Sequence, residues 1–329
     1  MKSNIKLAVI VAAALLVELT TGVIYYSAQD IIHKTMERLV EREMNSIFLS
    51  IRNQLAKVEV TVDNMEWVVN ESLSQPDTLF TITHRLVEYN PSIQGCGILF
   101  TPNYYPQKGR LFEPYSVRRP NGTITTQQIG SSSHDYTQMI FYTVPIAKNE
   151  KTWCDPYLDS IGSNKMVTTY SVPVHNQRDS IVAVVCIDIS IDWLDDIIMA
   201  KTKLYKNTRR FLVTNSGTLL AGEDNQTFQA VLELLKADSD NEGYVKRTAS
   251  DGEKQHVFFH PVGGKTDWVL IDVLNDKDVF GQLRQIRLLL AILVVTGMVL
   301  VGFIVYRSSR NLERLRQVDA EKAISIILA

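Results

Sequence analysis

Residues 165–189, KMVTTYSVPVHNQRDSIVAVVCIDI, decide the fold. Two runs rich in Val, Ile, Thr and Tyr, at 165–174 and 180–189, predict two long strands. Asp188 interrupts the apolar run IVAVVCI, and alternation from Val184 and Cys186 places it on one fixed face of the second strand. It could stand in the cap region of a helix starting at residue 192, but Ser190 or Asp192 would serve that purpose better.

Working outward, strands are expected at 94–101, 111–118 and 122–129, then an irregular crossing at 134–162 rich in Tyr, Trp and Asp, and a closing helix at 192–200. A second, smaller unit follows: a strand at 209–215, a turn at Ser216-Gly217, a helix at 226–235, and strands near 243–248, 254–261 and 267–274. Ahead of both units, apolar residues at 32, 36, 40, 44, 47, 51, 55, 58, 62, 65 and 69 define one long amphipathic helix. Such a seam can pair with a second copy as a coiled coil or pack on its own domain, and some of each is expected. Ser74-Gln75-Pro76-Asp77 stops that helix, a shorter one runs to about Tyr89, and Asn90-Pro91 turns the chain into strand. The fold class is α+β, with a long stalk helix and two antiparallel units.

Residues 288–306, LLLAILVVTGMVLVGFIVY, carry no charge and suffice to cross most of a hydrocarbon layer ~30 Å thick. Residues 5–26 form a second apolar run, led by Lys2 and Lys6 and interrupted by Glu18. A cleaved signal peptide would also start this way, but the run is long and Tyr26-Ser27-Ala28 makes a poor cleavage site. Arg307, Arg310, Arg314, Arg316 and Lys322 follow the second run, so both termini are expected in the cytoplasm and the middle outside, on the far side of the cell's inner (plasma) membrane. The expected organisation is a cytoplasmic N-terminus (1–4), transmembrane helix (5–26), stalk helix (27–75), membrane-distal unit (76–203), membrane-proximal unit (204–287), transmembrane helix (288–306) and cytoplasmic helical tail (307–329) with Leu312, Leu315 and Val318 on one side.

The net charge of −2, with both ends basic, leaves the middle mildly acidic, which argues against nucleic acid as a partner. Cys96 and Cys186 sit in strand-like runs and read as buried free thiols, and with Cys154 they make an odd count that intrachain disulfides alone cannot absorb. His33, His84, His134, His175, His256 and His260 show no metal-ligand spacing and read as surface or structural. Neither a nucleophile elbow, a phosphate-cradling glycine loop nor a C-x-x-C pair occurs, so no enzyme activity, metal or cofactor is expected.

WCDPYLD at 153–159, MVTTYSVPV at 166–174, VVCIDIS at 184–190 and TDWVLI at 266–271 resemble the double Cache family of PAS-like extracytoplasmic sensor domains, over residues 27–287. The resemblance implies a small molecule bound in the membrane-distal unit of a signal-transduction receptor: a histidine kinase of a two-component system, a chemoreceptor, a cyclic-nucleotide enzyme or a SpoIIE-type phosphatase. For the amino-acid-binding branch it implies site positions at Met139, Phe141, Tyr157, Asp159 and Asp188. That branch carries an Arg where this chain has Met139, which cannot grip a carboxylate with a bidentate fork. The remaining aromatic wall and carboxylates suit an ammonium group, so a small amine or amino-acid-like molecule is the expected ligand.

The candidate ligand-binding residues are Phe141, Tyr142, Trp153, Tyr157, Asp159 and Asp188. Trp153 and Tyr157 serve equally well as core aromatics, Phe141 and Tyr142 fit core better than contact, and Asp159 could cap the turn at Ile161-Gly162-Ser163. The expected partners are that small molecule, membrane lipid, a second copy through the stalk, and a cytoplasmic effector. After residue 306 the sequence is too short for a kinase, a phosphatase or a complete HAMP module, so the effector is expected to be missing from it or separate. The rival expectation is a membrane-anchored scaffold whose Cache-like domain binds another protein; converging Tyr157, Asp159 and Asp188 would favour the receptor.

Overall fold

The computed structural model describes residues 2–198, 205, 207–223, 225–237 and 243–328. The chain opens with helices α1 (Lys2–Asp63), α2 (Glu66–Glu71) and α3 (Thr78–Tyr89), then strands β1 (Ile93–Phe100), β2 (Pro114–Arg118) and β3 (Ile124–Gln128). Helix α4 (Ile140–Lys148) leads to β4 (Thr152–Trp153), β5 (Tyr157–Leu158), β6 (Met166–His175), β7 (Ile181–Ser190) and α5 (Asp192–Ile198). The second group is β8 (Arg209–Thr214), β9 (Leu219–Ala221), α6 (Gln226–Ala237), β10 (Gly243–Thr248), β11 (Lys254–Pro261) and β12 (Trp268–Asn275), and α7 (Asp276–Leu328) ends the chain.

The chain divides into two bodies. One comprises Met1–Leu39 and Asp276–Ala329. Its two helices include windows long and apolar enough to cross a membrane, with mean hydropathy 1.5 near the N-terminus and 3.0 in α7. Leu15, Leu16, Leu19 and Ile24 on one, and Leu288, Leu293, Val299 and Phe303 on the other, are exposed. Such surface is unfavourable in water and stable in hydrocarbon, where a helix satisfies its own backbone.

The other body, Val40–Asn275, holds two antiparallel sheets. The first has seven strands in the order β3-β2-β1-β7-β6-β4, with β5 also pairing β6; the second has five, β10-β11-β12-β8-β9. The long β6 and β7 are buried along nearly their whole length, and β7 accordingly opens with the unbroken apolar run IVAVVCI, whereas β6 interleaves Thr168, Thr169 and Ser171 with its apolar residues. Helix α3 packs on β1, β2 and β3, with Thr83 hydrogen-bonded to Ser116 at 2.8 Å. The core of the second sheet sits under α6, around Phe211, Phe228, Val231, Val257 and Ile271.

The amphipathic seam of α1 is consumed by its own body. Val40, Met44, Ile47, Ile51, Leu55, Val58 and Val62 are all buried, each worth ~1.5–3 kcal/mol. Polar contacts fix the helix against both sheets: Trp153 Nε1 donates to Glu59 at 2.9 Å, Lys151 pairs with Asp63 at 2.9 Å, and Arg210 with Glu43 at 3.2 Å. That stretch of the seam is therefore not open to a second copy. The single helix expected over 32–69 is two, because the Met65 N–H bonds Val62 at 2.9 Å, three residues back, and this tightened turn ends α1.

The crossing at 134–162 is more ordered than its composition suggests, containing α4, β4 and β5. Pro145 inside α4 has no N–H to give the Phe141 carbonyl, and the Cys186 thiol lies 3.6 Å from that oxygen instead. Residues 199 and 200 of the expected closing helix, the boundary at 203/204, and the side chains of Leu312 and Leu315 lie outside the described residues.

Candidate functional site

The side chains of Val184, Cys186 and Asp188 alternate onto one face of β7, beneath the crossing. Val184 and Cys186 join Leu99, Leu111, Tyr136 and Tyr142 in a buried apolar cluster, and the position of Asp188 marks where that cluster gives way to a cavity. Across the sheet Asp188 stands opposite Gly95 on β1 and Thr169 on β6. Glycine at 95 is a spatial requirement, since a Cβ there would lie 2.5 Å from the Tyr115 hydroxyl and 2.7 Å from Asp188 Oδ2.

Three hydroxyls converge on the Asp188 carboxylate. Thr169 Oγ1 donates to Oδ1 at 2.6 Å, Tyr157 to Oδ1 at 3.4 Å, and Tyr115 to Oδ2 at 3.2 Å. Tyr115 also lies 3.4 Å from Asp159 Oδ2 and so ties the two acids together. Asp159 accepts from the Gly162 N–H at 2.8 Å and from the Ser163 N–H, so it closes a turn and lines the cavity at once. Gly162 must lack a side chain, because a Cβ would meet both Asp159 and Tyr115. Burial, and then the neighbouring Asp159 charge, push the Asp188 carboxyl up to about 6, against the pull of its three hydroxyl donors.

The cavity measures about 180 Å³ and is walled by Phe141 and Tyr157, whose rings stack at 5.5 Å, by Met139 and Leu99, and by Asp159 and Asp188. It also takes in Tyr115, Glu113 and His134, and among its described lining residues there is no Arg or Lys. Of the six candidate residues, Phe141, Tyr157, Asp159 and Asp188 are brought together here. Tyr142 and Trp153 are not. The Tyr142 ring packs in the apolar cluster, edge-on to Tyr136 at 5.2 Å, and Trp153 points its indole N–H at Glu59 with its ring 5.0 Å from Tyr170. Both take the core role that aromatic residues in such a crossing readily fill.

Sequence reasoning missed Tyr115, Glu113 and His134. His134, read as surface or structural, lines the cavity, held by a reciprocal pair of backbone bonds with Ser131 at 3.1 and 3.2 Å. No spacing signal marks these three, which reach the cavity only through the pairing of β2 with β1 and the fold of the crossing.

Residues 79–196, from α3 through α5, match the family profile described as "Methyl-accepting chemotaxis protein-like, first PDC sensor domain". This segment is a Cache/PDC-type sensor domain. The resemblance carried by residues 153–190 agrees with it, and the cavity lies wholly within the sensor domain. Solved structures with a similar fold extend the likeness over both sheets. The extracellular domain of soHK1S-Z6, designated a histidine kinase, is 20% identical with a TM-score of 0.58, covering 76% of this chain and 98% of its own. The ligand-binding domain of Mlp24, solved with asparagine, is 15% identical at a TM-score of 0.56, covering 77% and 99%. The corresponding domain of the Campylobacter jejuni chemoreceptor Tlp3, in complex with L-valine, is 12% identical at 0.57, covering 75% and 96%. A comparison with curated protein sequences finds no match.

Proposed function

We propose that this protein is a two-pass membrane receptor whose sensor domain lies outside the cytoplasm and binds a small molecule through an ammonium group in the cavity beneath the crossing. The supporting observation is the lining itself: Asp159, Asp188 and Glu113 face a space walled by Phe141 and Tyr157, with no Arg or Lys among the described lining residues. Carboxylates supply charged acceptors and ring faces attract cations, so an ammonium satisfies groups that are otherwise like-charged neighbours. Mlp24 and Tlp3 hold amino acids in domains of this fold. Here Met139 stands among the lining residues, at the position where the amino-acid-binding branch that the sequence resembles carries an Arg, which favours an amine over an amino acid.

Binding favours one of two arrangements of the body formed by residues 40–275, and the change passes through α7 to a cytoplasmic effector on this or another chain. The ligand biases that output only by its difference in affinity for the two arrangements.

The binding reaction carries a pH signature. Asp188 must be ionised to hold an ammonium, and its carboxyl titrates at about 6, so affinity rises with pH through that value. Calorimetric titration of the full chain in phosphatidylcholine nanodiscs with butylamine is expected to give about tenfold weaker binding at pH 5 than at pH 7. Equal affinity at the two pH values, or tighter binding at pH 5, would overturn the assignment of Asp188 to the ammonium.

A further inference from the structure

A positive charge alone does not fix how many N–H groups its nitrogen carries, but the acidic end of the cavity does. As carboxylates, Asp159 and Asp188 offer about four acceptor positions each. Among the described residues, Thr169 and Tyr157 donate to Asp188 Oδ1, and the Gly162 and Ser163 N–H groups donate to the two oxygens of Asp159. Tyr115 stands within reach of Oδ2 of both acids, 3.2 Å from Asp188 and 3.4 Å from Asp159, and has a single proton to give. With those donors engaged on the two carboxylates, about three acceptor positions remain open.

The rest of the wall leaves these positions to the ligand. Tyr115 is held at its post, since a Cβ on Gly95 would lie 2.5 Å from its hydroxyl and one on Gly162 would meet the same oxygen. Glu113, the third acid of the lining, already faces His134 Nε2 at 3.3 Å. The Phe141 and Tyr157 rings are stacked, with centroids 5.5 Å apart and planes at 28°, so each covers one face of the other. Rings spent on each other in this way do not form the open cage of faces that holds a methylated ammonium.

We propose that the acidic end selects by the number of N–H donors, and that the ligand is a primary amine whose three N–H groups fill the open positions on Asp159 and Asp188. This rests on the ammonium reading of the cavity. A methyl in place of an N–H leaves a carboxylate position unpaired and out of reach of water, which a buried polar site tolerates poorly. Secondary, tertiary and quaternary ammonium are therefore disfavoured in that order, although all carry the same charge.

The test is calorimetric titration of the full chain in phosphatidylcholine nanodiscs at pH 7.5 with butylamine, N-methylpropylamine, N,N-dimethylethylamine and tetramethylammonium. These cations share one charge and the same number of carbons, while their N–H donors fall one by one from three to none. Affinity is expected to drop about tenfold with each N–H removed. In Asp159→Asn the Gly162 and Ser163 N–H groups occupy the amide oxygen and Tyr115 turns to Asp188, which leaves about one open position. The preference for butylamine over N-methylpropylamine is then expected to fall to about one. Equal affinity across the series, tetramethylammonium binding tightest, or a preference kept in full by a folded Asp159→Asn would overturn the selection by N–H donors while leaving the ammonium reading in place. If none of the cations binds, both fail. The wild-type series decides the matter even if the variant does not fold.

Discussion

Asp188→Asn is expected to weaken amine binding by about a hundredfold, close to 3 kcal/mol, while making the ligand-free protein more stable. The loss follows from removing a buried, hydrogen-bonded charge that the ligand's ammonium must meet. The gain follows from the same burial, because the native state holds this carboxyl at about 6 against an ordinary 3.8 and so disfavours its charged form. For an acid raised in this way, the native state binds its proton more tightly than the unfolded chain. The group's contribution is therefore fully present below about pH 4 and is lost as pH rises through 6. At pH 7 the amide is expected to add about 1–3 kcal/mol, and near pH 4 almost nothing. Asparagine also fits the hydroxyl array. Its carbonyl can accept from Thr169 and Tyr157, and its amide can donate to Tyr115, which keeps its own proton for Asp159. Melting curves of both proteins at pH 4 and pH 7, with titrations at pH 7, test the pair of signs. A variant that loses binding because it is less stable at pH 7 contradicts this account of Asp188.

Asp272→Ala is expected to destabilise the body formed by residues 40–275 by about 3–5 kcal/mol, without any direct effect on the cavity. Arg210 and Asp272 face each other across β8 and β12, and the guanidinium grips the carboxylate with two bonds of 2.6 Å. Both are buried, Arg210 at 8% and Asp272 at 1% exposure, and Glu43 on α1 adds a third bond at 3.2 Å. Burial raises the Asp272 carboxyl and Arg210 pulls it back, so each ion depends on the other. Removing the acid alone strands a buried cation with Glu43 as its remaining acidic partner among the described residues. Replacing both, as Arg210→Met with Asp272→Leu, is expected to recover most of the loss, because two apolar side chains need no desolvated partner. Denaturant unfolding of the full chain in detergent measures both variants. A double variant as unstable as Asp272→Ala would show that the pair contributes something other than mutual neutralisation.

How much of this was legible in the sequence depends on how local the signal is. The longer strands of both sheets follow from runs of β-branched and aromatic residues bounded by turn chemistry, so 165–174 and 180–189 correspond to β6 and β7 within a residue, whereas the two- and three-residue β4, β5 and β9 are too short to show such a run. The periodicity of α1 was equally plain, but not whether the seam faces a second copy or its own sheets, since an apolar stripe has the same pattern for either neighbour. Asp188 stood out because a carboxylate in an apolar strand needs a reason, and Asp159 because its spacing matched a known pattern. Glu113 precedes a proline and Tyr115 sits on a half-polar strand, so neither breaks a local rule. Their importance arises from register, with Tyr115 opposite Gly97, and from the crossing folding over Glu113. Trp153 carried a strong local pattern and still faces α1, because a sheet residue's side is settled by what packs on each face.

The most direct test of the central claim compares ligands of opposite charge and equal size on the full chain in detergent. Butylamine at a hundred times its dissociation constant is expected to stabilise the protein against thermal unfolding by ~2.7 kcal/mol, and butanoate at the same concentration to leave it unchanged. Stabilisation by butanoate and none by butylamine would contradict an ammonium-binding cavity.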